Sequence, residues 1–233
     1  MDEFEFAYYL NNRQLLLLLS LVDQRPVAGL PPVEEPVDWP AVSLSLLEDG
    51  RLFYRDGQLV MGGELSALLL AVKAARRVRT LHGKGTNPLT FYEGERTVML
   101  ELLPGGSCRL GEVENSEPRR LTQERLFSRN PLPEALLDTL PEDEDLRARL
   151  VRWAHMGLSL EAPPGAWLGL EEVRGVVDLL APERRDRWIW VEDAFTGLIL
   201  HQDRDGTRVE LDTPSRRRTL ARELDWEAYY AAG

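Results

Sequence analysis

The chain contains an internal duplication whose two copies lie about a hundred residues apart. Residues 91–113 contain two alternating apolar segments around the turn 104–107, and residues 190–211 repeat this pattern around the turn 204–207. Alternation with a period of two is typical of β-strands, and a glycine-containing turn between two such segments indicates a hairpin. An arginine-containing segment follows each copy and opens a predicted helix. The duplication therefore predicts two similar halves in tandem.

The segments upstream of the two hairpins also correspond. In the first half, the dipeptide Asp56-Gly57 lies between apolar-rich segments and predicts a hairpin at 51–61. Helical spacing of apolar residues predicts a helix at 64–78. Its buried stripe is predicted to consist of Leu65, Leu68, Leu69, Val72 and Ala75. In the second half we expect the equivalent hairpin at 158–168 and the equivalent helix at 171–180.

Antiparallel meanders follow the helices in both halves. The predicted strands are residues 77–81, 89–93, 97–102 and 108–113 in the first half and 187–192, 196–202 and 207–212 in the second. A helix at 214–224 closes the chain. We therefore predict an α+β fold with two pseudo-symmetric tandem halves, residues 1–129 and 130–233, in one compact unit. Each half contributes helices and an antiparallel meander to a shared sheet, with helices on one face and at the ends.

The amino-terminal part predicts two helices joined by an irregular connector. Asn11 or Asn12 can cap a helix that extends to about residue 23, because an asparagine side chain accepts free amide hydrogens of a first turn. Four prolines within residues 25–36 exclude a helix there. Asp38 then caps a second helix that ends before Gly50.

Composition restricts the partner and the compartment. The 233 residues are 43% apolar, enough for a substantial core, and carry a net charge of -11. Such acidity argues against a nucleic-acid partner, since that affinity depends on neutralising phosphates with Lys and Arg. A single cysteine, Cys108, cannot form an internal disulfide and indicates a reducing compartment, so we expect a cytoplasmic protein. The acidic amino terminus does not resemble a secretory signal, and the leucine run 15–19 is too short for membrane insertion.

The residues that carry catalysis in most enzymes are scattered. His82, His155 and His201 are far apart in sequence and show no metal-binding spacing. Cys108 is expected to be a buried small residue. The acidic segment 141–145 fits a helix amino terminus, where the macrodipole favours negative charge. We therefore expect no catalytic residues, no cofactor and no metal ion.

Three groups of residues are candidates for contacting a partner. Arg216 and Arg217 begin a predicted helix, where the dipole disfavours positive charge, so they are expected to meet acidic groups on a partner or on the other half. The second group is a helical stripe of aromatic residues near the carboxyl terminus. The third is a strand end in the first half that is apolar, whereas the corresponding strand end of the second half, at 202–204, is polar. These two groups are Trp226, Tyr229 and Tyr230, and Leu102, Leu103 and Pro104.

The layout of the chain resembles the EspG family of chaperones from type VII (ESX) secretion. The resemblance is carried by residues 4–6 before the leucines of 14–19, by the connector 27–32, and by the strand, glycine turn, strand and arginine-rich helix of 198–218. It implies cytosolic binding of a helical secretion substrate and no catalysis. It assigns no individual binding residue.

Several classes of function remain open from the sequence. A protein-binding adaptor or secretion chaperone for a small helical protein, as a monomer or homodimer, agrees with the features above. A winged-helix-like nucleic-acid-binding regulator would use helices 64–78 and 171–180 for recognition, but the second carries three acidic residues against one arginine. An enzyme with an unrecognised site and a purely structural role are the other two classes.

Overall fold

The structure is a computed structural model that describes residues 7–23, 28–30, 33, 36–126, 131–134, 144–156, 159–192 and 197–224. Within these ranges the chain forms eleven strands and seven helices. It divides into two compact units, the first formed by Met1–Thr80 with Asn87–Asn115 and the second by Leu81–Thr86 with Ser116–Gly233. The predicted boundary between residues 129 and 130 lies outside the described residues.

The first unit contains ten elements, of which the last strands form the predicted meander. In chain order these are β1 (Ala7–Asn11), α1 (Asn12–Leu21), α2 (Trp39–Glu48), β2 (Leu52–Arg55), β3 (Gln58–Met61), α3 (Gly63–Lys73), β4 (Arg77–Gly83), β5 (Leu89–Glu93), β6 (Thr97–Leu103) and β7 (Ser107–Val113). Strand β4 begins in this unit and ends in the second.

The second unit contains the helix that follows the first meander, and then a second meander with its own closing helix. Its elements are α4 (Glu117–Leu126), α5 (Glu144–Ala154), α6 (Pro164–Leu168), β8 (Val173–Ala181), β9 (Arg184–Glu192), β10 (Gly197–Asp203), β11 (Gly206–Leu211) and α7 (Pro214–Glu223).

The strands form one large antiparallel sheet and one small sheet. The large sheet has nine strands in the order β1-β7-β6-β5-β4-β8-β9-β10-β11, and β2 and β3 pair separately. The strand pairs β5–β6, β6–β7, β8–β9, β9–β10 and β10–β11 join neighbours in sequence, as expected for two meanders. The predicted α+β fold with antiparallel meanders is confirmed.

Local sequence signals account for the amino-terminal elements. The side chain of Asn11 accepts a hydrogen bond from the Gln14 amide, and the Gln14 side chain accepts one from the Asn11 amide, both at 2.9 Å. This capping box satisfies two free donors and fixes the start of α1. Leu15, Leu18 and Leu19 are fully buried, so the leucine run is a core helix as predicted.

The hairpin β2–β3 also forms where it was predicted. Asp56 and Gly57 have φ values of 53° and 76°. Two successive residues with positive φ give the primed turn that matches the right-handed twist of a two-stranded ribbon. The buried stripe of α3 contains Leu65, Leu68 and Leu69, with Val72 one turn further on.

Three predicted elements were wrong. Helix α3 ends at Lys73 and not at residue 78, because β4 already begins at Arg77. Residues 171–180 were predicted as a helix, but all of them from Val173 onward belong to the strand β8. The predicted hairpin at 158–168 is replaced by the short helix α6.

The physical reasons for two of these corrections lie in single residues. Pro164 occupies the first helical position of α6, where its fixed φ suits a helix start, and Trp167 is then buried. In β8, Gly175 approaches its surroundings so closely that a Cβ atom would lie 2.4 Å from Leu126 Cδ2 and 3.1 Å from the His82 carbonyl oxygen. Without its second helix, the winged-helix-like nucleic-acid hypothesis loses half of its proposed recognition surface.

Each unit has its own hydrophobic core. In the first unit, α1, α2 and α3 bury leucines with side chains of β6 and β7, among them Leu100 and Leu110. In the second unit, Trp153 of α5 and Trp167 of α6 pack with residues of β8 to β10, such as Val176 and Ile189. No helix in the described ranges is both long enough and apolar enough to span a membrane.

Candidate functional site

A polar cluster lies on one face of β9 and β10 in the second unit. His201 is paired with Trp188 in the strand register, so alternation places Asp186 and Asp203 on the same face as both. The ring of Trp188 stacks on the His201 imidazole with centroids 4.8 Å apart and an interplanar angle of 3°. The Nε2 atom of His201 lies 2.8 Å from Asp186 Oδ1. The imidazole is thus held both by stacking and by a carboxylate.

Both carboxylates of this cluster are stabilised in the charged form. Burial raises the pKa of Asp186, but hydrogen bonds from His201 and Arg184 outweigh it and the pKa is lowered. Burial likewise raises the pKa of Asp203, and this is outweighed by a backbone hydrogen bond from Asp205 and by the pairing with Arg208, so this pKa is lowered too. The Asp203 Oδ1 atom accepts the amides of Asp205 at 2.8 Å and Gly206 at 3.1 Å. Two charged carboxylates therefore flank one imidazole.

The sequence did not reveal this cluster. His201 and Asp186 are 15 residues apart, and no short motif contains them both. The sequence signal that could have found the cluster is the register of the predicted β9–β10 hairpin, because strand pairing brings alternate residues of the two strands side by side. The ligand atoms of Asp186, His201 and Asp203 all lie within 4.8 Å of one another.

A second feature is a cleft of about 350 Å³ in the first unit. Its lining includes Tyr8 of β1 and Glu64 of α3, together with Gly63, Ala67, Leu68, Arg96 and Glu112. The Tyr8 hydroxyl donates a hydrogen bond to Glu64 Oε2 at 3.3 Å, and the Arg51 guanidinium lies over the Tyr8 ring at 4.8 Å. Burial, followed by the charge of Glu64, raises the pKa of Tyr8. The phenol is therefore a neutral hydrogen-bond donor at physiological pH.

The apolar strand end of the first unit lies at the β6–β7 turn. Leu102 and Leu103 are half-buried and Pro104 is exposed. Leu102 also packs against the first core, so Leu103 and Pro104 are the more accessible part of this group. The turn contacts the start of α1, because the Asn12 amide donates to the Gly106 carbonyl oxygen at 3.1 Å.

The arginines at the start of α7 are paired within the second unit. Arg216 forms ion pairs with Glu210 and with Glu223, the latter at 3.1 Å. Arg217 forms two hydrogen bonds with the Asp212 carboxylate, at 2.7 and 2.6 Å. The role of Arg216 and Arg217 toward a partner stays a prediction. So does the role of the aromatic stripe Trp226, Tyr229 and Tyr230, which lies outside the described residues.

Exposed apolar side chains are distributed unequally between the two units. Among the described residues, eight large apolar side chains are exposed, and six of them belong to the first unit. These six are Tyr9, Leu21, Leu44, Phe53, Tyr54 and Leu70. Val151 and Leu180 are the two in the second unit. Single exposed apolar residues are common, but this difference agrees with the more apolar β6–β7 turn of the first unit.

Cys108 is fully buried in the first core, and burial raises the pKa of its thiol to about 12. Because the thiolate is the reactive form, we expect the native protein to react with a thiol reagent at pH 8 at least about a hundred times more slowly than the unfolded protein. Absorbance of the released thiolate from 5,5′-dithiobis(2-nitrobenzoate), with and without denaturant, measures this ratio. Equal rates in the two states would contradict the burial of this side chain.

The α+β fold is similar to that of one solved chaperone structure. No protein-family model matches the sequence, and no curated protein matches it either. The structure resembles that of the Mycobacterium tuberculosis type VII secretion system chaperone EspG5, which was solved in complex with a PE25–PPE41 dimer. The TM-score is 0.51 at 13% sequence identity, and the match covers 90% of this chain and 91% of that chain. At this identity the likeness concerns the fold, which is EspG-like.

Proposed function

We propose that this chain is a non-catalytic, cytosolic protein-binding chaperone or adaptor whose partner is a small helical protein of the type VII secretion substrate kind. The observation that carries the proposal is the likeness to EspG5, which extends over nearly the full length of both chains. That protein was solved with a bound PE25–PPE41 dimer, so the same fold can hold a protein partner.

Two features of the chain agree with a protein partner. Within the described ranges the first unit exposes six of the eight exposed large apolar side chains, three of them aromatic, and aromatic side chains are enriched among the residues that dominate interface energies. The net charge of -11 disfavours nucleic acid and favours a partner with neutral or basic surfaces. The proposal places the interface on the first unit.

Isolation of the tagged chain from its native cells tests this proposal. We expect a helical protein, or a dimer of helical proteins, to co-elute with it at a fixed stoichiometry in size-exclusion chromatography, with identity given by mass spectrometry. The purified partner should then re-form the complex with the purified chain in isothermal titration calorimetry. Co-elution of nucleic acid without a stoichiometric protein, or turnover of a substrate by the isolated chain, would contradict the proposal.

The β6–β7 turn provides a specific test of the interface. We expect the double change Leu103→Gln and Pro104→Arg to weaken partner binding by about tenfold or more, because loss of an interface anchor costs more than about 1 kcal/mol. Calorimetric titration with the reconstituted partner measures the change.

The matched control is Arg204→Ala, which alters the equivalent turn of the second unit and should leave the affinity within about twofold, as expected for a residue outside an interface. Circular dichroism verifies that both variants stay folded. If the Arg204 variant loses affinity and the Leu103/Pro104 variant keeps it, the interface lies on the second unit instead.

A further inference from the structure

The cluster on β9 and β10 has the composition of a metal site. It brings together one imidazole nitrogen and two carboxylates whose ligand atoms all lie within 4.8 Å of one another. Around a zinc ion, nitrogen and oxygen ligands bind at about 2.0–2.2 Å and lie somewhat more than 3 Å apart. Asp203 is half-buried at the end of β10, and its carboxylate must exchange its bonds to the Asp205 and Gly206 amides or to Arg208 for the ion to close that difference.

We propose that Asp186, His201 and Asp203 form a binding site for a divalent transition-metal ion, with Zn²⁺ as the best match. Three protein ligands leave a fourth tetrahedral position for water. The imidazole favours zinc over magnesium and calcium, which prefer sites made entirely of oxygen ligands. The ion links the first residues of β9 to the end of β10 and to the turn that Asp203 begins.

Two of the three ligands, Asp186 and His201, are held in place by the surrounding structure. Asp186 and His201 are 3% and 7% exposed, so few other rotamers are open to them. Trp188 stacks on the imidazole and fixes the plane of the ring. An ion that binds between His201 and Asp186 replaces the 2.8 Å hydrogen bond between them. The imidazole and the Asp186 carboxylate are therefore oriented before the metal binds, and Asp203 is the ligand that must move.

Two arginines compete with the metal for the carboxylates. Arg184 pairs with Asp186, and Arg208 pairs with Asp203. The Arg208 side chain is 63% exposed and the Arg184 side chain 26%, so a dication can displace either guanidinium toward solvent. This competition makes a specific prediction, since removal of one arginine must strengthen metal binding.

Titration of the full-length chain, freed of metal with EDTA and dialysed, tests the site. In calorimetry we expect one Zn²⁺ to bind per chain and Mg²⁺ to bind at least about tenfold more weakly, because magnesium disfavours the imidazole ligand. His201→Gln and Asp203→Asn should each lower the zinc affinity by at least about tenfold. Arg208→Gln should raise it, as the competing cation is removed.

Each outcome decides the proposal. Absence of stoichiometric zinc binding overturns it. Zinc affinity that is unchanged in Asp203→Asn and lowered in Arg208→Gln also overturns it, because the ion then binds elsewhere. If the buried His201 variant fails to fold, the two variants near the surface, at Asp203 and Arg208, still give opposite signs. The readout is independent of the protein partner, so it is unaffected if the proposed function fails.

Discussion

Replacing Gly29 with alanine is expected to lower the free energy of unfolding by about 3 kcal/mol. Gly29 has a φ of +86°, where an L-residue costs roughly 1–2 kcal/mol. A Cβ atom at this position would also lie 2.0 Å from Thr90 Oγ1 and 2.8 Å from Thr90 Cβ. Overpacking of this kind costs about 1–3 kcal/mol in addition.

The close approach exists because the connector lies against β5 of the first unit. The residue before Gly29, Ala28, accepts a 2.7 Å hydrogen bond from the Tyr92 hydroxyl. Thr90 and Tyr92 are both buried and lie on the same face of β5, two residues apart. A methyl group at Gly29 therefore either separates the connector from the strand or displaces Thr90 from its position.

Gly57 is the matched control in the same unit. Its φ is +76°, but a Cβ there would meet nothing within 4 Å, so Gly57→Ala should cost only about 1 kcal/mol. Urea denaturation followed by circular dichroism measures both variants. Addition of Thr90→Ala to Gly29→Ala should restore part of the loss, since it removes two of the three overlapping atoms. Equal losses at Gly29 and Gly57 would show that the overlap has no energetic weight.

Elements whose pattern has a single physical explanation could be predicted from the sequence. The amino-terminal cap at Asn11 or Asn12, the Asp56-Gly57 turn and all strands of the two meanders except β8 were found because local hydrogen bonding or period-two alternation determines them. In each of these elements the decisive contacts lie within a few residues of one another. Tertiary packing was not needed to decide between alternatives.

The errors arose where local signals are ambiguous. The segment that forms β8 is a short apolar run with valines, and a buried strand cannot be distinguished from a buried helix by periodicity in such a run. Gly175 was the informative residue, since glycine is unfavourable in a helix interior and here permits close packing against Leu126. The role of Gly175 depends on Leu126, which lies 49 residues earlier in the chain and therefore outside any local sequence pattern.

The polar cluster illustrates the same limit for function. Asp203 lies two residues from His201 on the same face of β10, but Asp186, the other carboxylate, becomes a partner of His201 only when the hairpin register is known. The Leu103–Pro104 turn, by contrast, was identified by comparing the two copies of the duplication. Comparison between the internal repeats therefore found a difference at the surface. The buried cluster could be recognised only from the three-dimensional structure.

Replacing Arg187 with methionine is expected to have the other large effect on stability. Arg187 is 1% exposed and faces Asp178 across the β8–β9 pair, where its guanidinium bonds to both carboxylate oxygens, at 2.5 and 2.7 Å. A third hydrogen bond reaches the Ala162 carbonyl oxygen at 2.5 Å. Removal of one partner of a buried ion pair costs about 3–5 kcal/mol, because the other charge stays buried without compensation. Since Asp178 is 20% exposed, we expect a loss near the lower end, about 3 kcal/mol.

Arg96→Met provides the control for this change, because Arg96, in the turn before β6, pairs with Glu112 of β7 but is 45% exposed. Loss of an exposed pair should cost less than about 1 kcal/mol. Addition of Asp178→Asn to Arg187→Met should recover stability, since it removes the uncompensated charge and leaves a neutral amide between the strands. Thermal and urea denaturation of the wild type, Arg187→Met, Asp178→Asn and the double variant give the coupling free energy, and Arg96→Met is measured beside them. If Arg187→Met and Arg96→Met lower the free energy of unfolding by equally small amounts, the bonds to Asp178 and Ala162 contribute no more than a surface ion pair. Packing of the tryptophans on β9 then stabilises the second unit without these bonds.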